Sequence, residues 1–179
     1  MYFGELYLWG EGKDDTRLLE ALRKKLPLRV FKQIHIREYK RMPKDELCAA
    51  IKSHKECGDS YYLFTDHNGS QCYTEARDKV ISIYPEVERE RIFVVKKKIE
   101  GWYLAGINHA SARKLGLTLP LLDSNAIGKR AFSDMIPRRY SSEIDFNTEI
   151  LKNYDIVVAS SNNHSFGYMI TKLHGLSQL

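Results

Sequence analysis

Short apolar runs and longer amphipathic segments alternate along the first half of the chain. The runs at residues 6–9 and 92–95 are apolar throughout, and the run at 61–65 is apolar up to its last residue, Thr65. Such runs predict buried parallel strands, because helices cover both faces of a parallel sheet. Residues 29–36 alternate between apolar and polar side chains and predict a strand at the edge of the sheet.

Each gap between these predicted strands carries apolar residues at helical spacing. The first predicted helix begins at Asp14 or Asp15 and stops at Pro27. The second has Pro43 at its first position, and the third spans residues 73–84. A β-α-β-α-β-α-β order of this kind favours right-handed crossovers and a mainly parallel, four-stranded sheet flanked by helices.

The second half of the chain has a different pattern, with helical periodicity and few strand signals. No linker, repeat or low-complexity segment separates the two halves. We therefore predict one α/β domain over residues 1–179, with a core at 4–97 and a mostly helical extension at 98–179 packed on that core. The predicted segments of the second half are helical stretches at 99–115, a loop-rich region at 117–145, a helix at 146–153, an apolar stretch at 156–159 and a last helix at 166–173.

Composition narrows the class of protein. Hydrophobic residues make up 43% of the 179 residues and charged residues 28%, which is typical of a folded globular chain. No apolar run approaches the ~20 residues that cross a membrane, and the first residues do not resemble a signal peptide. The three cysteines include no CxxC pair, which favours reduced thiols in the cytoplasm. The net charge of +5 is compatible with a polyanionic partner.

Candidate chemistry first appears at the end of the first predicted strand, in the segment W-G-E-G-K-D-D. Glycines on both sides of Glu11 allow a sharp turn that leaves its carboxylate accessible. Ligands of open α/β sheets bind outside the carboxyl ends of the strands. The alternative is an ordinary turn in which Asp14 or Asp15 caps the helix. The segment is not a phosphate-binding P-loop, since G-K-[ST] is absent.

A second polar segment, L-F-T-D-H-N-G-S, follows the third predicted strand. Asp66 and Asn68 could both face one ion, and their oxygens suit a hard cation such as Mg²⁺. The alternative is an Asx-turn, with His67 facing solvent. We predict that the first and third strands are neighbours, as in many doubly wound sheets, which would place Glu11 and Asp66 at the same end of the sheet.

These segments resemble the Toprim domain of topoisomerases, DnaG-type primases, RecR-type repair proteins and OLD-type nucleases. The resemblance lies in E-G-x-x-D, at Glu11, Gly12 and Asp15, and in D-x-[DN], at Asp66 and Asn68. The later I-E-G-W-Y-L-A resembles the E-x-W-x-L-A segment of small stand-alone Toprim-like proteins.

The resemblance implies a Toprim-like, Rossmann-like fold and phosphoryl transfer that depends on Mg²⁺ or Mn²⁺. It gives Glu11 and Asp66 catalytic and metal-binding roles, with Asn68 as a further metal ligand. An aspartate is typical at the position of Asn68. Since asparagine is neutral, we expect weaker cation binding here than in other Toprim domains.

Basic residues supply candidate contacts to nucleic acid. Lys96, Lys97 and Lys98 follow the fourth predicted strand, and their alternative role is a solvated surface. Glu100 is either a further metal ligand or a partner of one of these lysines. Trp102 is predicted to lie in the core.

A second basic segment contains Arg138 and Arg139 beside an aromatic residue, an arrangement that can hold a nucleic-acid strand or simply form a surface loop. The polar segment 160–166 is predicted to cap the last helix through Asn162, Asn163 or Ser165.

Two functional hypotheses follow. The first is a Mg²⁺-dependent enzyme acting on phosphodiesters, most simply a nuclease. The second is a non-catalytic Toprim-like module with a degenerate metal site that binds nucleic acid or protein. Neither involves a membrane, and both are compatible with a partner protein or a homo-oligomer.

Overall fold

The computed structural model describes residues 4–26, 28, 30–67 and 69–176. It has an α/β fold whose chain divides into two compact units. The first unit contains the residues up to 94 together with those from 171 onward, and the second contains residues 95–170. That the chain is one domain whose extension packs on the core stays a prediction.

A four-stranded parallel sheet contains β1 (Leu6–Gly10), β2 (Ile34–Glu38), β3 (Ser60–Asp66) and β4 (Ile92–Val95). The strand order is β2-β1-β3-β4, so the predicted adjacency of the first and third strands is confirmed. In the register of the sheet, Leu6 lies opposite Ile34 of β2 and Ser60 of β3.

The burial of each strand follows its sequence pattern. Leu8 in β1 and Leu63 in β3 are fully buried, as expected for central strands. β2 has one buried residue, Ile36, next to the exposed Arg37, and its other residues are partly buried. Its place at the edge of the sheet is confirmed. It begins at Ile34, later than predicted, because the preceding residues turn; Arg29 lies outside the described residues.

The helices of the first unit are α1 (Lys13–Leu22), α2 (Lys44–Cys57) and α3 (Tyr73–Ile83), with a 3₁₀ turn at Arg89–Arg91. The start of α1 differs from the prediction, because Gly12 is its N-cap. The helix also ends before Pro27, which lies outside the described residues. Pro43 is the N-cap of α2, not its first residue.

One face of the sheet packs against α2 and α3. Burying such apolar surface stabilises a fold by about 25 cal/mol per Å². This core consists of Trp9, Tyr39, Leu47, Ile51, Tyr61, Leu63, Ala76, Val80, Val87, Ile92 and Val94.

The second unit is helical. Trp102 is fully buried and its indole N–H donates to Ser165 Oγ at 2.8 Å, which confirms its predicted place in a core. Asn163 caps the last helix by accepting the N–H of Phe166 at 3.1 Å, as predicted. Within the described residues, no helix is both long enough and apolar enough to cross a bilayer. The helices are α4 (Ile99–Ala105), α5 (His109–Leu115), α6 (Lys129–Asp134), α7 (Glu143–Lys152), α8 (Ile156–Asn162) and α9 (His164–Leu176). α6 falls where a loop-rich region was predicted, and the last residues of α9 are counted with the first unit.

Candidate active site

Glu11 and Asp66 meet at the carboxyl end of the sheet. Glu11 follows the last residue of β1, and Asp66 is the last residue of β3. The carboxylate Oε2 of Glu11 accepts the backbone N–H of Asp66 at 3.0 Å and the hydroxyl of Thr65 at 3.4 Å. The adjacency of the two strands therefore brings together carboxylates that are 55 positions apart in the chain.

Lys40 occupies the other oxygen of Glu11. Its ammonium donates to Glu11 Oε1 at 2.6 Å, from a position two residues beyond the end of β2. The Glu11 side chain is only 13% exposed, whereas that of Lys40 is 66% exposed. The hydrogen bond and the charge of Glu11, followed by the charges of Asp66 and Asp15, raise the pKa of Lys40. Sequence analysis missed this lysine, because no local motif marks it.

Asp15 is a third acid at this end of the sheet. It is 6% exposed, and its Oδ2 accepts the N–H of Gly12 at 3.1 Å. Its Oδ1 is buried and has no hydrogen-bond partner among the described residues. Burial, then the nearby charges of Asp66 and Glu11, raise the pKa of Asp15 to about 7. Asp15 is thus not the N-cap, as the alternative interpretation had it, but the third residue of α1, bonded back to the N-cap Gly12. It belongs to an acidic cluster, defined here as Glu11, Asp15 and Asp66.

Gly10 allows Asp15 to approach the strand. A Cβ atom at Gly10 would lie 2.8 Å from the Cβ of Asp15, closer than real side chains come. Any larger residue would push the start of α1 away from the end of β1. The glycine is therefore required by close packing at this point.

The acidic cluster matches a hard cation in the kind of donor it offers, since carboxylate oxygens are preferred ligands of Mg²⁺. The buried Oδ1 of Asp15 also lacks the partner that a buried polar atom usually has. Even so, the described residues contain no group of three or more His, Cys, Asp or Glu side chains placed to hold a metal ion. Glu11 is engaged with Lys40 and the end of β3. A cation that binds Glu11 Oε1 would take the place of the ammonium of Lys40.

The remaining predicted site residues do not lie with the acidic cluster in the described part of the first unit. Asn68 lies outside the described residues. Glu100, Lys96, Lys97 and Lys98 belong to the second unit, where Glu100 is buried in α4 and Lys97 has a positive φ of 65°. Their shared site with Glu11 and Asp66 therefore stays a prediction.

Arg138 and Arg139, in the second unit, are both exposed. The guanidinium of Arg139 donates to the backbone oxygen of Lys114 at 2.6 Å, near the end of α5, and lies over the ring of Tyr140. The hydrogen bond to Lys114 and the contact with Tyr140 indicate a structural role for Arg139. A role of Arg138 and Arg139 in binding nucleic acid stays a prediction.

A cleft of about 210 Å³ opens beside the acidic cluster. Its sheet side carries carboxylates and its other side is formed by α3 and the residue that follows it. It therefore combines acidic, basic and apolar surfaces. The lining residues are Glu11, Tyr39, Lys40, Thr65, Asp66, Ser70, Ala76, Lys79, Val80, Ile83 and Tyr84.

No model of a known protein family matches this chain, and no curated protein matches it. Among solved structures, the C-terminal region of the OLD protein of Xanthomonas campestris pv. campestris is similar over 98% of this chain and 100% of that one. The sequence identity is 13% and the TM-score is 0.47. These values do not assign the chain to a family, so the functional argument rests on the residues of the site.

Proposed function

We propose that this chain is a Toprim-like protein that carries out Mg²⁺- or Mn²⁺-dependent phosphodiester chemistry on nucleic acid. The observation that supports this is the convergence of Glu11, Asp15 and Asp66 at the carboxyl ends of two adjacent central strands. This is where open α/β sheets bind ligands. Like charges are gathered there at a cost to stability, as expected of a functional site.

In this proposal Glu11 and Asp66 are the catalytic residues and cation ligands, and Asn68 and Glu100 are further ligands. The cation would polarise a phosphoryl oxygen and activate water. Asp15 would hold a proton below about pH 7 and release it above, because its pKa is raised to about 7. The hydrogen bond from the backbone of Asp66 would orient Glu11.

The basic residues would contribute contacts to the phosphate backbone. Lys96, Lys97, Lys98, Arg138 and Arg139 are the proposed set, and the net charge of +5 supports it. Such contacts position a strand without reading its sequence.

A second function is favoured by the ion pair between Lys40 and Glu11. An ammonium 2.6 Å from Glu11 Oε1 supplies positive charge where a cation would otherwise lie. A chain that compensates its acids in this way has less need of a metal. The second candidate is therefore a non-catalytic module that binds nucleic acid or a partner protein.

Calorimetry with Mn²⁺ and Mg²⁺, together with a cleavage assay on labelled DNA and RNA, separates these functions. The wild type should bind Mn²⁺ weakly and cleave at least one substrate, and Asp66→Ala should abolish both. Asp59→Ala is the matched control, since Asp59 precedes β3 at its opposite end and accepts the N–H of Glu5. Asn68→Asp should tighten binding, because it adds a charge at a ligand position.

Cation binding that is unchanged in Asp66→Ala would place the ion elsewhere and refute the proposed site. Binding of nucleic acid without cation binding or cleavage would establish the second candidate.

A further inference from the structure

The wall of the cleft that faces the acidic cluster carries apolar surface open to solvent. Ile83 lines the cleft and is 49% exposed, so that about half of its side-chain surface is open to a ligand. Tyr84 lies next to it and packs edge-to-face against Tyr39, with ring centres 5.7 Å apart. Burial raises the pKa of Tyr84, so its ring is neutral. An apolar ligand group would cover surface that is now hydrated.

Positive charge lies beside this apolar surface. The ammonium of Lys79, one turn before Ile83 on α3, donates to Ser70 Oγ at 3.0 Å and pairs with Glu75 at 2.9 Å. An ammonium has three N–H donors, and the hydroxyl of Ser70 is a further one. Since the Lys79 side chain is 55% exposed, an anion can reach it from solvent. A phosphate next to Lys79 and Ser70 would meet two hydrogen-bonding side chains.

We infer that Ser70, Lys79, Ile83 and Tyr84, here called the α3 wall, bind one nucleotide of a single-stranded nucleic acid. Lys79 and Ser70 contact its phosphate, and Ile83 and Tyr84 cover its base. In a duplex, bases are stacked and paired, so a base cannot lie against a wall of this kind without leaving its helix.

The size of the cleft supports a single nucleotide. Its volume of about 210 Å³ is smaller than the ~300–1,000 Å³ of clefts that enclose a whole drug-sized ligand. One nucleotide would be partly enclosed while its neighbours remain outside. The inference rests on the proposed function for one feature only, which is that the phosphodiester of this nucleotide lies beside Asp66.

Fluorescence anisotropy with a short labelled oligothymidylate tests the α3 wall. The titrations are done in EDTA at several salt concentrations, so that binding is measured without a metal. Ile83→Ser should weaken binding about fivefold, because a serine removes apolar surface that the base would cover. Val157→Ser is the matched control: Val157 is 71% exposed, lies on α8 and should not affect binding.

Lys79→Gln should lower the slope of log affinity against log salt by about 0.7, the value for one phosphate contact on a single strand. Its matched control is Lys152→Gln, because Lys152 also pairs with a glutamate of its own helix. Tight binding of a duplex with the same labelled strand, equal to or stronger than that of the single strand, would overturn the inference. Equal affinities and slopes for wild type, Ile83→Ser and Lys79→Gln would do the same.

The inference and the proposed function can fail separately. Asp66→Ala should still bind the oligonucleotide in EDTA, and its loss of binding would count against a separate α3 wall. Binding that depends on Lys79 and Ile83, without any cleavage by the wild type, would support the wall and reject the nuclease. Cleavage that persists unchanged in both α3 variants would support the nuclease and reject the wall.

Discussion

The two ends of β1 each carry a glutamate, and the surroundings of these two residues differ. Glu5 precedes the strand at its amino end and Glu11 follows it at its carboxyl end. Glu5 accepts the hydroxyl of Tyr7 and contacts His35 Nε2, both at 2.8 Å. The hydrogen bond from Tyr7, followed by that from His35, lowers the pKa of Glu5.

Aromatic stacking completes this amino-end cluster, defined here as Glu5, Tyr7, His35 and His54. The ring of Tyr7 lies 4.6 Å from that of His35 and 3.7 Å from that of His54. Burial lowers the pKa of His54, which favours its neutral form. One acid is thus surrounded by groups that stabilise its charge.

At the carboxyl end, three acids lie close to one another and the pKa of Asp15 moves upward. Lys40 compensates part of their charge from an exposed position. A structural cluster satisfies its own charges, whereas a binding site retains charge for a ligand. The difference is the one that we expect if the amino end stabilises the fold and the carboxyl end takes part in the proposed chemistry.

The largest expected effect comes from Asp15→Asn, measured as the free energy of unfolding in EDTA. The raised pKa means that the folded state holds this proton more tightly than the unfolded chain does. The protonated Asp15 therefore contributes fully to stability below pH 3.8, which is the ordinary pKa of an aspartate. This contribution is lost as the pH rises through about 7, the pKa of Asp15 in the folded protein. Above that, the variant should be more stable than the wild type by roughly 2–4 kcal/mol.

The difference should nearly disappear below about pH 4, where Asp15 is protonated in both the folded and the unfolded wild type. Asp14→Asn is the control, since Asp14 is a more exposed acid of the same helical turn and pairs with Arg17. It should change stability by less than about 1 kcal/mol. If the free energy of unfolding depended on pH in the same way for wild type and Asp15→Asn, folding would not raise the pKa of Asp15.

The next effect concerns Lys40→Met and is measured by calorimetry with Mn²⁺. A cation that binds Glu11 must displace the ammonium of Lys40, so removing it should tighten binding about tenfold, or ~1.4 kcal/mol. Lys55→Met, which removes a lysine paired with Glu88 at 3.5 Å, should leave the affinity unchanged. Unchanged or weaker binding by Lys40→Met would show that lysine and metal do not compete.

The smallest effect is expected for Glu5→Gln at the amino end. Because the pKa of Glu5 is lowered, its contribution is present above the ordinary value of 4.5 and is lost as the pH falls through the folded value. The variant should therefore be slightly less stable near neutral pH, with a difference that narrows in acid. Thermal unfolding across that range measures it. A variant more stable than wild type at neutral pH would contradict the assignment of this cluster as structural.

The sequence by itself determined β1, β3 and β4, and the acids Glu11 and Asp66 at the ends of two of these strands. The apolar run at 92–95 coincides with β4, and the run at 61–65 lies within β3. These predictions succeeded because burial on both faces imposes a local pattern that neighbouring residues display. The same order of strands and helices predicted the meeting of Glu11 and Asp66.

Only the tertiary structure decided how those acids are compensated. The contact of Lys40 with Glu11 joins residues 29 positions apart, and it depends on β2 pairing with β1. The raised pKa of Asp15 depends on burial and on Asp66, which another strand supplies. Neither has a local signature, because a pKa depends on the charges and solvent around a group in space. Periodicity in a sequence describes which face a residue occupies, and strand pairing decides which charges it meets there.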